Sequence, residues 1–203
     1  MEERDGVKAF YAKSEKAWRS WLSKNHLKAK SVWLIIYKKS SATPSVYYPE
    51  AVDQALCFGW VDSKPNKRDD ESYYQFFAKR NPKSKWSLVN KNKIARLTKL
   101  GLMEKAGLEI VAVAKQSGTW DALNEVDQIL VPVDLEKEFQ KNKKAASNFD
   151  AFPRSAKRGI LEWILSAKRP ETRQERIKET VRLAKDNIRA QQYQGNKRPK
   201  QEA

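Results

Sequence analysis

The side chains that most often do chemistry are scarce in this chain of 203 residues. One histidine, His26, and one cysteine, Cys57, exclude multi-histidine metal clusters, zinc-finger spacing and an internal disulfide. The chain has no glycine-rich loop ending in Lys-Ser or Lys-Thr, no dinucleotide glycine fingerprint and no Gly-x-Ser-x-Gly elbow. No metal and no cofactor is therefore expected. Cys57 lies beside Phe58 with no nearby base, as suits a small buried hydrophobe better than a nucleophile. His26 falls at a helix end, where an imidazole meets free carbonyls.

Two stretches remain. In Ala55-Leu56-Cys57-Phe58-Gly59-Trp60-Val61-Asp62-Ser63 a single glycine joins a helix to a strand. Alternation then puts Asp62 on the same side as Trp60 and Ser63 on the other. Asp62 is either a hydrogen-bond acceptor or general base in a pocket wall, or a structural carboxylate paired with a nearby cation. The plainer, structural reading is favoured, because ion pairs also use such positions. The second stretch, Lys79 to Lys99, carries Lys79, Arg80, Lys83, Lys85, Lys91, Lys93, Arg96 and Lys99 with no acidic residue. Ser84 at a helix start among these cations would form an anion site, since free N–H groups and the helix dipole point the same way. Trp86 and Asn90 fall on the apolar side of that helix, where a buried Asn needs a partner.

Three functional readings follow. The first is a binding protein for an anionic small molecule or protein partner, with Trp60, Asp62, Arg80, Ser84, Trp86 and Asn90 lining a pocket between a hairpin and the basic helix. The second is nucleic-acid binding through the basic surface of residues 79–99, which predicts steep salt dependence. The third is an enzyme with Asp62 as acid or base.

The elements that must position these residues are legible as an α+β fold with a small antiparallel sheet of about three strands. Ser14 to Asn25 reads as a helix with Trp18, Trp21 and Leu22 on one face and Ser14 as N-cap. Val32 to Tyr37 reads as a strand buried on both faces. Pro49 opens a helix that stops at Gly59. Trp60–Asn66 and Tyr73–Lys79 read as a hairpin across a polar turn. Asn81-Pro82 or Ser84 starts the next helix, ended by Gly101, with Trp86, Val89, Ile94, Leu97 and Leu100 on its apolar face. A further helix spans about Glu104 to Gln116. Thereafter only helices are expected: Asp134 to Asn148, Ser155 to Ala167, and one from Pro170 with Ile177, Val181, Ala184 and Ile188 in a stripe. The division expected is residues 1–125 as a mixed α+β part, 131–190 as a helical part, and 191–203 as a disordered tail.

Composition supports a folded, basic protein. Hydrophobic residues make up 40% and the formal charge is +16, from 41 Lys+Arg against 25 Asp+Glu. Such a surface attracts polyanions. The start Met1-Glu2-Glu3-Arg4-Asp5 has no apolar run, and Val32 to Tyr37 is far too short to span a bilayer. A cytoplasmic location without a membrane span is expected.

With these segments laid out, the chain resembles the YdeI/OmpD-associated family, whose members are also labelled bacteriocin-protection proteins. The resemblance rests on Val32 to Lys39, on Glu50 to Ser63, on Ser84 to Asn90 with Gly101-Leu102-Met103, and on Ala167-Lys168-Arg169-Pro170-Glu171-Thr172-Arg173 with Arg176-Ile177. Family members often have Pro-Arg before Ser-x-Trp-Ser. Here the residues are Ala78-Lys79-Arg80-Asn81-Pro82, so an arginine role would fall to Arg80. The resemblance implies a part in tolerance to bacteriocins or cationic antimicrobial peptides and brings no reaction or cofactor with it. A protein of this charge repels cationic peptides, so any protection would be indirect.

Overall fold

A computed structural model describes residues 2–191, so the expected tail lies, from residue 192, outside the described residues. The described chain divides into two compact units that meet between Ala122 and Leu123.

In the N-terminal unit, β1 (Glu3–Arg4) and β2 (Val7–Tyr11) form a hairpin, followed by α1 (Glu15–Asn25), β3 (Ser31–Tyr37) and α2 (Tyr48–Cys57). Strands β4 (Trp60–Lys67) and β5 (Ser72–Lys79) come next, then α3 (Leu88–Lys99) and α4 (Lys105–Gln116). The described strands form one five-stranded sheet in the order β1-β2-β3-β5-β4. The expectation of about three antiparallel strands is corrected on both counts, because β2 joins β3 in parallel. The missed hairpin turns at Asp5 and Gly6, both with positive φ (51° and 72°), the backbone that a two-residue hairpin turn demands.

Parallel neighbours need a crossover, and α1 supplies it between β2 and β3. Helix α2 carries the chain from β3 past β5 to β4. Both crossovers move the same way across the sheet, so the right-handed rule puts both helices on one face. The main core forms there. Trp18 and Leu22 of α1, Ala51, Ala55 and Leu56 of α2, Ile94 and Leu97 of α3 and Val111 of α4 pack on Val32, Leu34, Ile36, Trp60 and Phe77. The opposite face buries a smaller cluster of Ala9, Trp33, Ile35 and Tyr74, partly under Arg4, whose guanidinium lies 5.7 Å and 5.3 Å from the Trp33 and Tyr74 ring centres. Residues Val32 to Ile36 are all buried, as the apolar run of β3 implied.

Two local readings are corrected. Helix α3 begins at Leu88, not at Ser84, and its N-cap is Ser87, whose Oγ accepts from the Asn90 N–H at 3.3 Å. Its buried side is also narrower than expected. Ile94 and Leu97 are buried, whereas Val89 and Leu100 are 64% and 57% exposed.

The C-terminal unit is helical: α5 (Asn124–Asp127), α6 (Val133–Lys141), α7 (Lys143–Ala151), α8 (Arg154–Leu165) and α9 (Pro170–Lys185). The single helix read over Asp134 to Asn148 breaks at Asn142, whose Oδ1 caps α7 by accepting from the Ala145 N–H at 3.1 Å. Leu135, Phe139, Phe149, Ile160, Ile164, Ile177 and Ala184 make the core of this unit. The last helix is tied down by its arginines and not only solvated by them. Arg173 grips Asp134 through two bonds of 2.6 Å and 3.0 Å, and Arg176 donates to the Trp163 carbonyl and to Ser166 Oγ at the end of α8.

Candidate functional site

Gly59 shapes the corner on which the candidate residues converge. Its φ is +73°, and an added Cβ would sit 2.9 Å from the Ala106 carbonyl oxygen of α4. Only glycine therefore lets β4 begin so close to α4. The Gly59 carbonyl accepts the Arg80 backbone N–H at 3.0 Å, which fixes where the chain leaves β5.

Arg80 is 7% exposed. Its guanidinium carbon lies 3.6 Å from the Trp86 ring centre, and Nη2 donates to the Lys85 carbonyl at 2.6 Å. Its buried Nε meets no hydrogen-bond acceptor. Burial pulls the guanidinium pKa down to about 10, an effect that the Asp62 charge opposes without a direct ion pair. A cation this deep ordinarily faces a carboxylate, because desolvating an unpaired charge costs several kcal/mol, on the order of the Coulomb energy it forgoes. Arg80 has an aromatic face and one carbonyl instead.

Asp62 is half-buried and accepts a hydrogen bond from the Tyr48 hydroxyl at 2.7 Å. Burial, and then that bond, push the Tyr48 phenol up to about 12. Tyr48 was not among the residues singled out from sequence. It sits at the start of α2, and only the crossover brings it to β4.

Asp62, Arg80 and Trp86 thus share one corner, with Tyr48 added by the fold. Trp60 is almost fully buried, lies edge-on to Trp21 at 5.8 Å and donates to the His26 carbonyl at 3.4 Å. Ser84 lies in the loop between Arg80 and Trp86 and donates to the Asn81 carbonyl at 2.7 Å. Asn90 is half-buried in the first turn of α3. Trp86 rests on Trp120, ring centres 5.1 Å apart, as a core residue would.

The basic stretch looks different in three dimensions. Lys93 contacts Asp53 of α2 at 2.6 Å, Arg96 binds the other oxygen of the same carboxylate, and Lys91 approaches Asp121 at 3.9 Å. The acids missing locally arrive from other elements. His26 Nδ1 lies 2.9 Å from the Leu22 carbonyl, and Cys57 is fully buried with its thiol pKa raised by that burial. Among the described residues no cluster of three or more His, Cys, Asp or Glu is placed to hold a metal ion. No helix among them is long and apolar enough to cross a membrane.

The protein class defined by this geometry is an α+β unit, with helices on one face of a mixed sheet and a buried arginine at its corner, followed by a helical unit. Residues 128–187, within the helical unit, match the family described as Bacteriocin-protection, YdeI or OmpD-Associated, so the resemblance read from the sequence holds over that stretch. Residues 10–110 match a domain of unknown function (DUF8412). The Ala167–Ile177 stretch falls in the first match and the other three stretches in the second. Comparisons with curated proteins and with solved structures return no match.

Proposed function

We propose that the N-terminal unit binds a small anionic ligand, or an anionic group of a protein partner, at Arg80. The observation that carries this reading is a guanidinium more than nine-tenths buried, with no carboxylate on it and Nε unmatched. An anion drawn to that corner would offset the desolvation that lowers the Arg80 pKa, while Trp86 holds the guanidinium plane in place. Asp62 and Tyr48 then act as the selective wall: a carboxylate that disfavours a second charge nearby and a phenol that stays protonated. The setting suggested by the family match is tolerance to bacteriocins or antimicrobial peptides, and with a charge of +16 the protein acts there indirectly, inside the cell.

The test is calorimetric titration of the full chain with pyrophosphate, citrate and sulfate, on wild type and Arg80→Met. At least one anion should bind wild type, with at least ten-fold loss in the variant. Equal binding by both proteins, or none by wild type at millimolar anion, defeats the reading. The same titrations on Asp62→Asn address its role, since removing a like charge should tighten anion binding a few-fold. The surface reading for nucleic acid has less to work with, because Lys91, Lys93 and Arg96 already face Asp121 and Asp53.

A further inference from the structure

A second site stands apart from the Arg80 corner, on the other side of the α1–β3 connection. The parallel pairing of β2 with β3 begins only at Ala9 and Trp33. Before that register the chains diverge, and a cleft of about 710 Å³ opens between residues 6–10 and 28–32. This lies within the roughly 300–1,000 Å³ typical of small-molecule sites.

The floor of the cleft is aromatic. Phe10 and Trp21 are half-buried, with ring centres 5.5 Å apart, and Trp21 is backed by Trp18 at 5.2 Å. These rings belong to the core beneath and are held from behind, so the floor is preformed. The rim carries Lys8, Lys28 and Lys30, and no acidic side chain lines the cleft. All three lysines are exposed, and none of their ammonium groups has an ion-pair or hydrogen-bond partner among the described residues. Glu3, which stands opposite Lys8 in the hairpin, is the nearest acid by register. The contrast with α3 is informative, because there Lys91, Lys93 and Arg96 each face a carboxylate. Asn25 lines the same wall; its Nδ2 donates to the Trp21 carbonyl at 2.8 Å, which fixes the amide in place.

We infer that this cleft binds a small organic anion with a flat apolar body, the body on Phe10 and Trp21 and the carboxylate or phosphate against Lys28 and Lys30. An apolar floor alone would take neutral ligands, and lysines alone would hold a bare ion only weakly in open solvent. The combination selects molecules that have both parts. The site owes nothing to Arg80, so it stands or falls separately from the function proposed above.

The test uses 2-naphthoate as probe, with acetate and 2-naphthalenemethanol as its two halves, titrated by calorimetry into the full chain at low salt. Naphthoate should bind at least ten-fold more tightly than either half. The double variant Lys28→Ala/Lys30→Ala should lose at least five-fold of that affinity, and both lysines are exposed, so the fold is retained. Arg80→Met should bind naphthoate as wild type does, which separates this site from the other one. Absence of naphthoate binding at millimolar concentration overturns the inference. Equal affinity for the neutral alcohol, or unchanged affinity in the lysine variant, does the same.

Discussion

The two units differ in how completely their best-placed cations are matched. In the helical unit each of the three best-placed arginines has a partner that explains it. Arg158 meets Asp127 at 2.8 Å, Arg173 grips Asp134, and Arg176 closes the end of α8. These side chains tie α8 to α5 and α9 to α6 and α8. The α+β unit also has such ties, notably Arg19, which spans Gln54, Glu104 and the Leu102 carbonyl. Yet it keeps one buried guanidinium, Arg80, without an acid on it, and three unpaired lysines around an aromatic cleft. A cation whose partner is built in serves the fold. One whose burial is left uncompensated is a candidate for a partner from outside.

The largest effect expected concerns how the α+β unit is held at all. A Cβ at Gly107 of α4 would lie 2.2 Å from the Cys57 carbonyl oxygen and 2.9 Å from that of Leu56, both backbone atoms of α2. Gly107→Ala must push the two helices apart and should cost roughly 3 kcal/mol or more. A urea melt within experimental error of wild type would show that this contact is looser than the structure has it.

The next effect goes to the heart of the comparison. Arg158→Met takes the guanidinium from a 6%-exposed Asp127 side chain and should destabilise the protein by about 2 kcal/mol. Arg80→Met removes a buried charge with no acid on it, and stability should stay within about 1 kcal/mol of wild type. If Arg80→Met is instead the costlier of the two in chemical denaturation, Arg80 is a structural tie like the others.

The smallest effect is spectroscopic. Tyr48 has its pKa raised from 10.0 to about 12 by burial and by the Asp62 hydrogen bond. Its contribution to stability is therefore intact below pH 10 and is lost as the pH rises from there through about 12. Titration at 295 nm should show a late-ionising tyrosine that disappears in Tyr48→Phe and moves back toward 10 in Asp62→Asn. An unchanged late step in Asp62→Asn would remove the bond from the account.

Much of the scaffold was readable locally. The β4–β5 hairpin announces itself through an extended stretch after Gly59 and an aromatic-rich one from Tyr73 to Phe77 on either side of a polar turn, and Ser14 caps α1 as its position implied. The β1–β2 hairpin is marked only by the Asp5-Gly6 turn, because strands of two and five residues carry little pattern of their own. Ser84 and Ser87 both suit an N-cap by type. Ser84 spends its hydroxyl on the Asn81 carbonyl in the loop before α3, and Ser87 makes the cap by accepting from the Asn90 N–H.

The sequence by itself determined the class of fold, the location of most helices, the shortage of catalytic side chains and the surplus of positive charge, because periodicity, capping and composition are local properties. Tertiary structure alone decided which charges are spent. Asp53 reaches Lys93 across 40 residues and Tyr48 reaches Asp62 across 14, while Arg80 is left without an acid. Charges pair through space, and the crossover helices that set those distances leave no mark in the residues beside them.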